Sequence, residues 1–182
     1  MEIKEQEEAV QQQYLTFFLA DEEYAVGIQR VKEIIEYTAI TKVPKVPMWI
    51  RGVINLRGNV VPVVDLAVRF GMEERTITKT TCIVIVEVQQ EAERAVMGVI
   101  ADAVNQVIDF APKDIEEPPA FGTRVRLEYL SGMGKLGKKF ALILNIDSVL
   151  SAAELLTVST LQATPVDAQH EAGENSKGSP EA

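Results

Sequence analysis

The stretch Arg51–Leu66, RGVINLRGNVVPVVDL, comes back eighty residues later in altered form as Ser131–Ile146, SGMGKLGKKFALILNI. Laid over each other without a gap, Gly52 meets Gly132 and Leu56 meets Leu136. Val60, Val61, Val63, Val64 and Leu66 then meet Phe140, Ala141, Ile143, Leu144 and Ile146, and Asp65 meets its near-isostere Asn145. Identity is slight, but each copy is a glycine-punctuated turn running into a short apolar strand, so what repeats is an architecture. Two similar lobes are expected.

The upstream stretches divide the same way. Tyr24–Tyr37, YAVGIQRVKEIIEY, matches Ala95–Phe110, AVMGVIADAVNQVIDF, through an apolar-apolar-Gly opening and through VKEII against VNQVI, with two residues inserted in the second copy. CIVIVEV at Cys82–Val88 and VVPVVDL at Val60–Leu66 are short, β-branched and bounded by turn residues, the pattern of buried strands. Helical signals are few: a short turn near Gln29–Ile35, another at Met48–Gly52, and Ser151–Val158, where Ser151 and Glu154 have capping-box spacing. The chain reads as mostly β, two small closed sheets sharing a hydrophobic seam.

With 182 residues the chain is one domain by size. The folded part is expected at residues 14–158, in lobes of roughly 14–66 and 82–147 with exchange of strands allowed between them. Residues 1–13 are rich in Glu and Gln, and residues 159–182 are poor in large apolar side chains. Neither can offset its own ordering entropy, so both are predicted to be disordered tails. Each tail nets −3, leaving −3 of the total −9 for the folded part. No apolar run approaches the roughly 18 residues of a membrane span, and the acidic start lacks the basic opening of a signal peptide, so a cytoplasmic protein with no membrane insertion is expected.

The residue inventory excludes most chemistry. His170 lies in the tail and Cys82 opens a strand, and they are the only histidine and cysteine. No zinc site, Cys-His pair or Ser-His-Asp triad can be assembled from the folded part, and no metal or cofactor is expected. Cys82 reads as core. GMGKLGKK at Gly132–Lys139 lacks both the spacing of a phosphate loop and a following helix, and reads as a hairpin turn. The pairs Glu73–Glu74 and Glu116–Glu117 lie in polar loops, where solvated charge is the default.

One positive signal remains. Between Glu36 and Asp65 there is no acidic residue, while Lys42, Lys45, Arg51 and Arg57 supply four positive charges in an acidic chain. Arg57 stands in the tight turn between Leu56 and Gly58, where its planar fork is rigidly presented and suited to a carboxylate.

The run GVINLRGNVVPVVDL, preceded by ADEEYAVGIQRVKEII and followed by EYLSGMGKLGKKFALILNIDSVL, closely resembles the CheW family of bacterial chemotaxis coupling proteins. The likeness covers about Tyr14–Leu156, and NLRG followed by PVVDL is a specific motif. It implies two five-stranded SH3-like β-barrels packed together and no enzymatic activity. It also implies a role joining the cytoplasmic tips of chemoreceptors to the regulatory domain of the histidine kinase CheA in ordered arrays. Arg57, Gly52 and Val31 correspond to receptor-facing positions, joined by Val104 and Val107. Glu33, two residues after Val31, corresponds to a kinase-facing position, and Phe121, in the loop PPAFGT, to one that helps the adaptor and kinase form rings. Glu116 and Glu117 depart from the basic residue some relatives carry before that loop.

Rival readings make different demands. A nucleic-acid-binding barrel would also be small, β-rich and locally basic, but only Trp49 interleaves with the basic residues here and the folded part is acidic. No nucleic-acid partner is expected. A fused regulator would need a receiver domain, for which no room follows Val158, and a noncatalytic enzyme subunit would be distinguished by co-purification.

Overall fold

The β-branched runs fold into two mixed sheets in the computed structural model, which describes residues 12–90, 93–118 and 125–149. In chain order the strands are β1 Gln12–Leu19, β2 Glu22–Gly27, β3 Val31–Glu36, β4 Ile50–Leu56, β5 Asn59–Val64, β6 Cys82–Gln90, β7 Glu93–Ala101, β8 Ala103–Phe110, β9 Ile115–Glu116, β10 Leu130–Leu136 and β11 Lys139–Leu144. Two single-turn helices, α1 Leu66–Arg69 and α2 Ile146–Val149, follow β5 and β11. The smaller sheet has the order β3-β6-β7-β5-β4 and the larger β8-β1-β2-β11-β10-β9. All pairings are antiparallel except β5 with β7 and β11 with β2.

The glycine-turn repeat is a repeat of register. In β4–β5, Ile50 pairs with Val64, a bulge follows, and Gly52 pairs with Val63; in β10–β11, Leu130 pairs with Leu144, a bulge follows, and Gly132 pairs with Ile143. The upstream match is also exact in space, but without the expected insertion. Val63 lies beside Gly98 as Ile143 lies beside Ala25, and Val31 and Glu33 pair across a bulge as Val104 and Gln106 do. Ala25, not Gly27, therefore stands where Gly98 does.

The sheets do not follow the two halves of the chain. β1–β2 joins β8–β11, and β6–β7 joins β3–β5, so the smaller sheet is the single stretch 31–101 and the larger is built from the segments either side of it. Polypeptide passes between sheets only at Ile28–Arg30 and at Asp102.

Three expectations need correction. Among the described residues neither sheet has a closing ladder, so these are open, curled sheets of five and six strands and not two closed five-stranded barrels. One edge of the larger sheet reaches the strand next to its other edge through a side chain instead: the Phe110 ring at the end of β8 lies over Gly134 of β10, where a Cβ would come within 2.4 Å of it. Second, the helical turn expected near Gln29–Ile35 is a 3-10 turn at Ile28–Arg30 that gives way to β3, because β-branched Val31, Ile34 and Ile35 favour the strand. Third, of Met48–Gly52 only Met48 and Trp49 form a turn, closed by the Ile50 amide on Pro47 O at 3.0 Å, and Ile50–Gly52 already belong to β4. The predicted helix Ser151–Val158 and both tails, apart from the strand residues Gln12 and Gln13, lie outside the described residues.

Each sheet encloses a small core, Ile54, Val61, Val63, Ile83 and Ile85 in one and Tyr14, Ala25, Phe110 and Ile143 in the other. The largest cluster is the seam between them, with Leu15, Phe17 and Tyr24 of the larger sheet against Val84, Val86 and Met97 of the smaller. Each such side chain contributes about 1.5–3 kcal/mol on burial. Arg69 of α1 crosses the seam, its guanidinium 4.9 Å from the Trp49 ring and 5.3 Å from that of Tyr129, whose hydroxyl it bonds at 2.8 Å.

Candidate partner-binding surfaces

The turn between β4 and β5 puts two successive residues in the left-handed region, Arg57 at φ 52° and Gly58 at φ 85°. This is the type I′ pattern that matches strand twist. Arginine has no intrinsic preference for that region, and Asn55 offsets the strain by accepting the Gly58 amide on Oδ1 at 2.8 Å. The result aims the guanidinium at β3, where it grips Glu33 with both prongs, Nη1 to Oε2 at 2.7 Å and Nη2 to Oε1 at 2.9 Å. The hydrogen bond to Glu33 and that carboxylate's charge hold the Arg57 pKa above its ordinary value. Arg57 is largely exposed and Glu33 mostly covered, so the carboxylate is the fixed member and the arginine the one open to solvent.

β3 is an edge strand paired only with β6, and its burial alternates. Val31, Glu33 and Ile35 turn partly inward, with Val31 packed on the seam, while Lys32, Ile34 and Glu36 face solvent. The bulge between Val31 and Glu33 breaks the two-residue period, so Val31 stands opposite Val86 on the seam side while Glu33 and Ile35 stand opposite Ile85 and Ile83 on the side of the smaller sheet's own core. Arg57, Glu33, Val61, Ile85, Arg94 and Val96 line one open cleft with an apolar floor and a charged rim. Two positions expected to serve different partners are joined by one ion pair.

The remaining positions separate. Val104, on edge strand β8 of the larger sheet, is half-buried against the seam, whereas Val107 is 51% exposed. They occupy the repeat positions of Val31 and Ile34, and Ile34 is likewise exposed at 44%. Gly52 is buried, with φ 141°, and a Cβ there would stand 2.0 Å from Thr41 O. It lets the loop after β3 dock on β4, where Thr41 and Val53 exchange backbone bonds at 2.9 Å in each direction. Buried in this way, Gly52 presents no side chain to the surface and shapes it only through that loop. Phe121 lies outside the described residues.

The basic run is less basic than its sequence. Arg51 is neutralised by Asp65 and Glu74; burial pulls its pKa down, but these bonds more than restore it, to above the ordinary value. Lys42 and Lys45 stay exposed. The second hairpin turn, with Gly137 at φ 60°, carries Lys135, Lys138 and Lys139 and no counterpart of the Arg57 fork. Cys82 is half-buried; burial raises its thiol pKa, opposed by a backbone bond at Val104, which suits core packing and not nucleophilic chemistry. The described residues hold no cluster of three or more His, Cys, Asp or Glu placed for a metal, and no helix among them is long and apolar enough to cross a membrane.

Sequence reasoning missed Arg30, Asp102 and Asp147, whose ion pairs join positions far apart in the chain. For Asp102 and Asp147 the available signal was a carboxylate in a mostly apolar run; Arg30, beside Gln29, Lys32 and Glu33, offered none.

Residues 13–154 match the family described as CheW-like domain. The chain is similar to the chemotaxis protein CheW of Klebsiella aerogenes, 33% identical over 154 residues that span 85% of this chain and 90% of the relative. It is similar to the chemotaxis protein CheW of Treponema pallidum, 30% identical over 149 residues spanning 82% and 88%. Among solved structures it is similar to the scaffolding protein TtCheW from Thermoanaerobacter tengcongensis, with a TM-score of 0.72 and 34% identity, covering 81% of this chain and 94% of the other.

Proposed function

The chain belongs to the CheW family, and from that premise we propose that it joins the cytoplasmic tips of chemoreceptors to the histidine kinase CheA in receptor arrays. It is a non-catalytic adaptor of chemotaxis signalling. In this reading Val31, Arg57, Val104 and Val107 serve the receptor, as does Gly52 through the loop it lets dock; Glu33 and Phe121 serve the kinase.

The observation that carries the mechanism is the two-pronged Arg57–Glu33 bond. A receptor helix seated beside β3 with a carboxylate near the turn competes for the Arg57 fork, and whatever it draws away from Glu33 changes the charge the kinase meets. One ion pair thereby makes the two affinities interdependent, which is what coupling means thermodynamically. Individual contacts can be weak, since an array multiplies them through effective concentration.

The test is direct binding of Arg57→Glu, Glu33→Arg and the exchanged pair to purified kinase and to receptor-containing membranes. Each single variant is expected to change both affinities, and the exchange to restore the ion pair and part of the coupling. A chain that binds neither kinase nor receptor membranes as wild type would overturn the reading.

A further inference from the structure

At each of the two passages between the sheets, one aspartate carboxylate is bonded from both sides. At the first, Arg30 donates to Asp147 through Nη1 to Oδ1 at 3.0 Å and Nη2 to Oδ2 at 2.6 Å. The Gln89 amide donates to the same Oδ1 at 2.9 Å. Asp147 lies in α2, behind the larger sheet; Gln89 lies in β6 of the smaller. At the second passage, Asp102 Oδ2 accepts the Ala20 amide, in the β1–β2 turn of the larger sheet, at 2.7 Å. It also accepts Nε of Arg75, in the segment joining β5 to β6 of the smaller sheet, at 3.2 Å. The backbone of Asp102 is held as well, its amide on Phe18 O at 2.9 Å and its carbonyl by Thr80 Oγ1 at 2.8 Å.

The repeat does not require these clamps. The positions equivalent to Asp147 and Asp102 are Ala67 and Gln29, so the two carboxylates are independent solutions at two independent passages. Their side chains are about a quarter exposed, 30% for Asp147 and 22% for Asp102, which leaves them shielded enough to hold geometry. The seam itself is apolar, and apolar adhesion is non-directional. Directional bonds are where an angle can be specified.

We propose that Asp147 and Asp102 are positioning residues that set the angle between the two sheets, and with it the placement of Val31, Glu33 and Arg57 on one sheet relative to Val104 and Val107 on the other. The clamps touch neither partner. They act by holding the two surfaces in one frame, so that a shift on the larger sheet is delivered to β3 through Arg30, the residue immediately before it. The functional half rests on the adaptor reading; the angular half does not.

The experiment uses the full chain with Cys82→Ala and nitroxide labels at cysteines replacing exposed Asn59 and Lys138, one on each sheet. Asp147→Asn and Asp102→Asn are each expected to broaden the inter-label distance distribution, and the double variant to broaden it further. The exchange Arg30→Asp with Asp147→Arg is expected to narrow it again. An unchanged distribution in the folded double variant overturns the proposal. Should that variant fail to fold, Arg30→Lys, which keeps the charge but loses the two-pronged fit, decides on the same criterion. In the functional arm, receptor control of the kinase is expected to fall at least about 5-fold while each direct affinity stays within about 2-fold. Equal loss of both affinities also overturns it. A wild-type chain that bound neither partner would defeat the adaptor reading and leave the label distances as an intact test of the clamps.

Discussion

Gly52 and Arg57 sit five residues apart and illustrate opposite kinds of constraint. At Gly52 the backbone is in a region side chains rarely adopt and a Cβ would collide with Thr41 O, so Gly52→Ala is expected to cost roughly 3 kcal/mol or more in a denaturant titration. Its receptor binding should fall as well, through displacement of the loop that Gly52 lets dock on β4. At Arg57 no core packing is at stake, and Arg57→Glu is expected to leave the thermal midpoint nearly unchanged while placing two carboxylates face to face. Adding Glu33→Arg to that variant should recover the spectroscopic and binding behaviour that the single change loses; the coupling between the two sites, read from the double-mutant cycle, is the measurement.

At the scale of elements, the hairpins were readable and their neighbours were not. Glycine spacing and apolar alternation are local, so the turns at Gly58 and Gly137 and the strands beside them follow from sequence, whereas the bulge both hairpins share appears only in the structure. Which hairpin lies beside which is decided by long-range burial, and nothing within Glu22–Gly27 announces β11 as its neighbour. The Arg57–Glu33 pair escaped for the same reason, 24 residues separating its members. The contact that curls the larger sheet is testable at this scale. Gly134→Ala should push Phe110 off β10 and destabilise by about 1–3 kcal/mol, and Phe110→Leu in the same chain should relieve part of the loss. Additive losses in thermal melts would refute the contact.

For the whole molecule, the contiguous smaller sheet inside a larger one makes the apparent halves inseparable. A cut in the 70–81 segment leaves neither fragment with a complete sheet. Residues 12–71 and 72–149 are each expected to lack a cooperative melting transition, and to regain one when mixed, followed by circular dichroism. Two self-sufficient fragments would contradict the strand order. The same arrangement sets a timetable for the nascent chain. Thr16 of β1 waits for Gln106 of β8, 90 residues later, which at ribosomal speeds is about 5–20 s. During that interval the smaller sheet can be finished while Tyr14 and Ala25, whose core partners Phe110 and Ile143 are still to be made, have no permanent cover, so the opening hairpin is where a chaperone would be needed and where a stalled ribosome would do most harm.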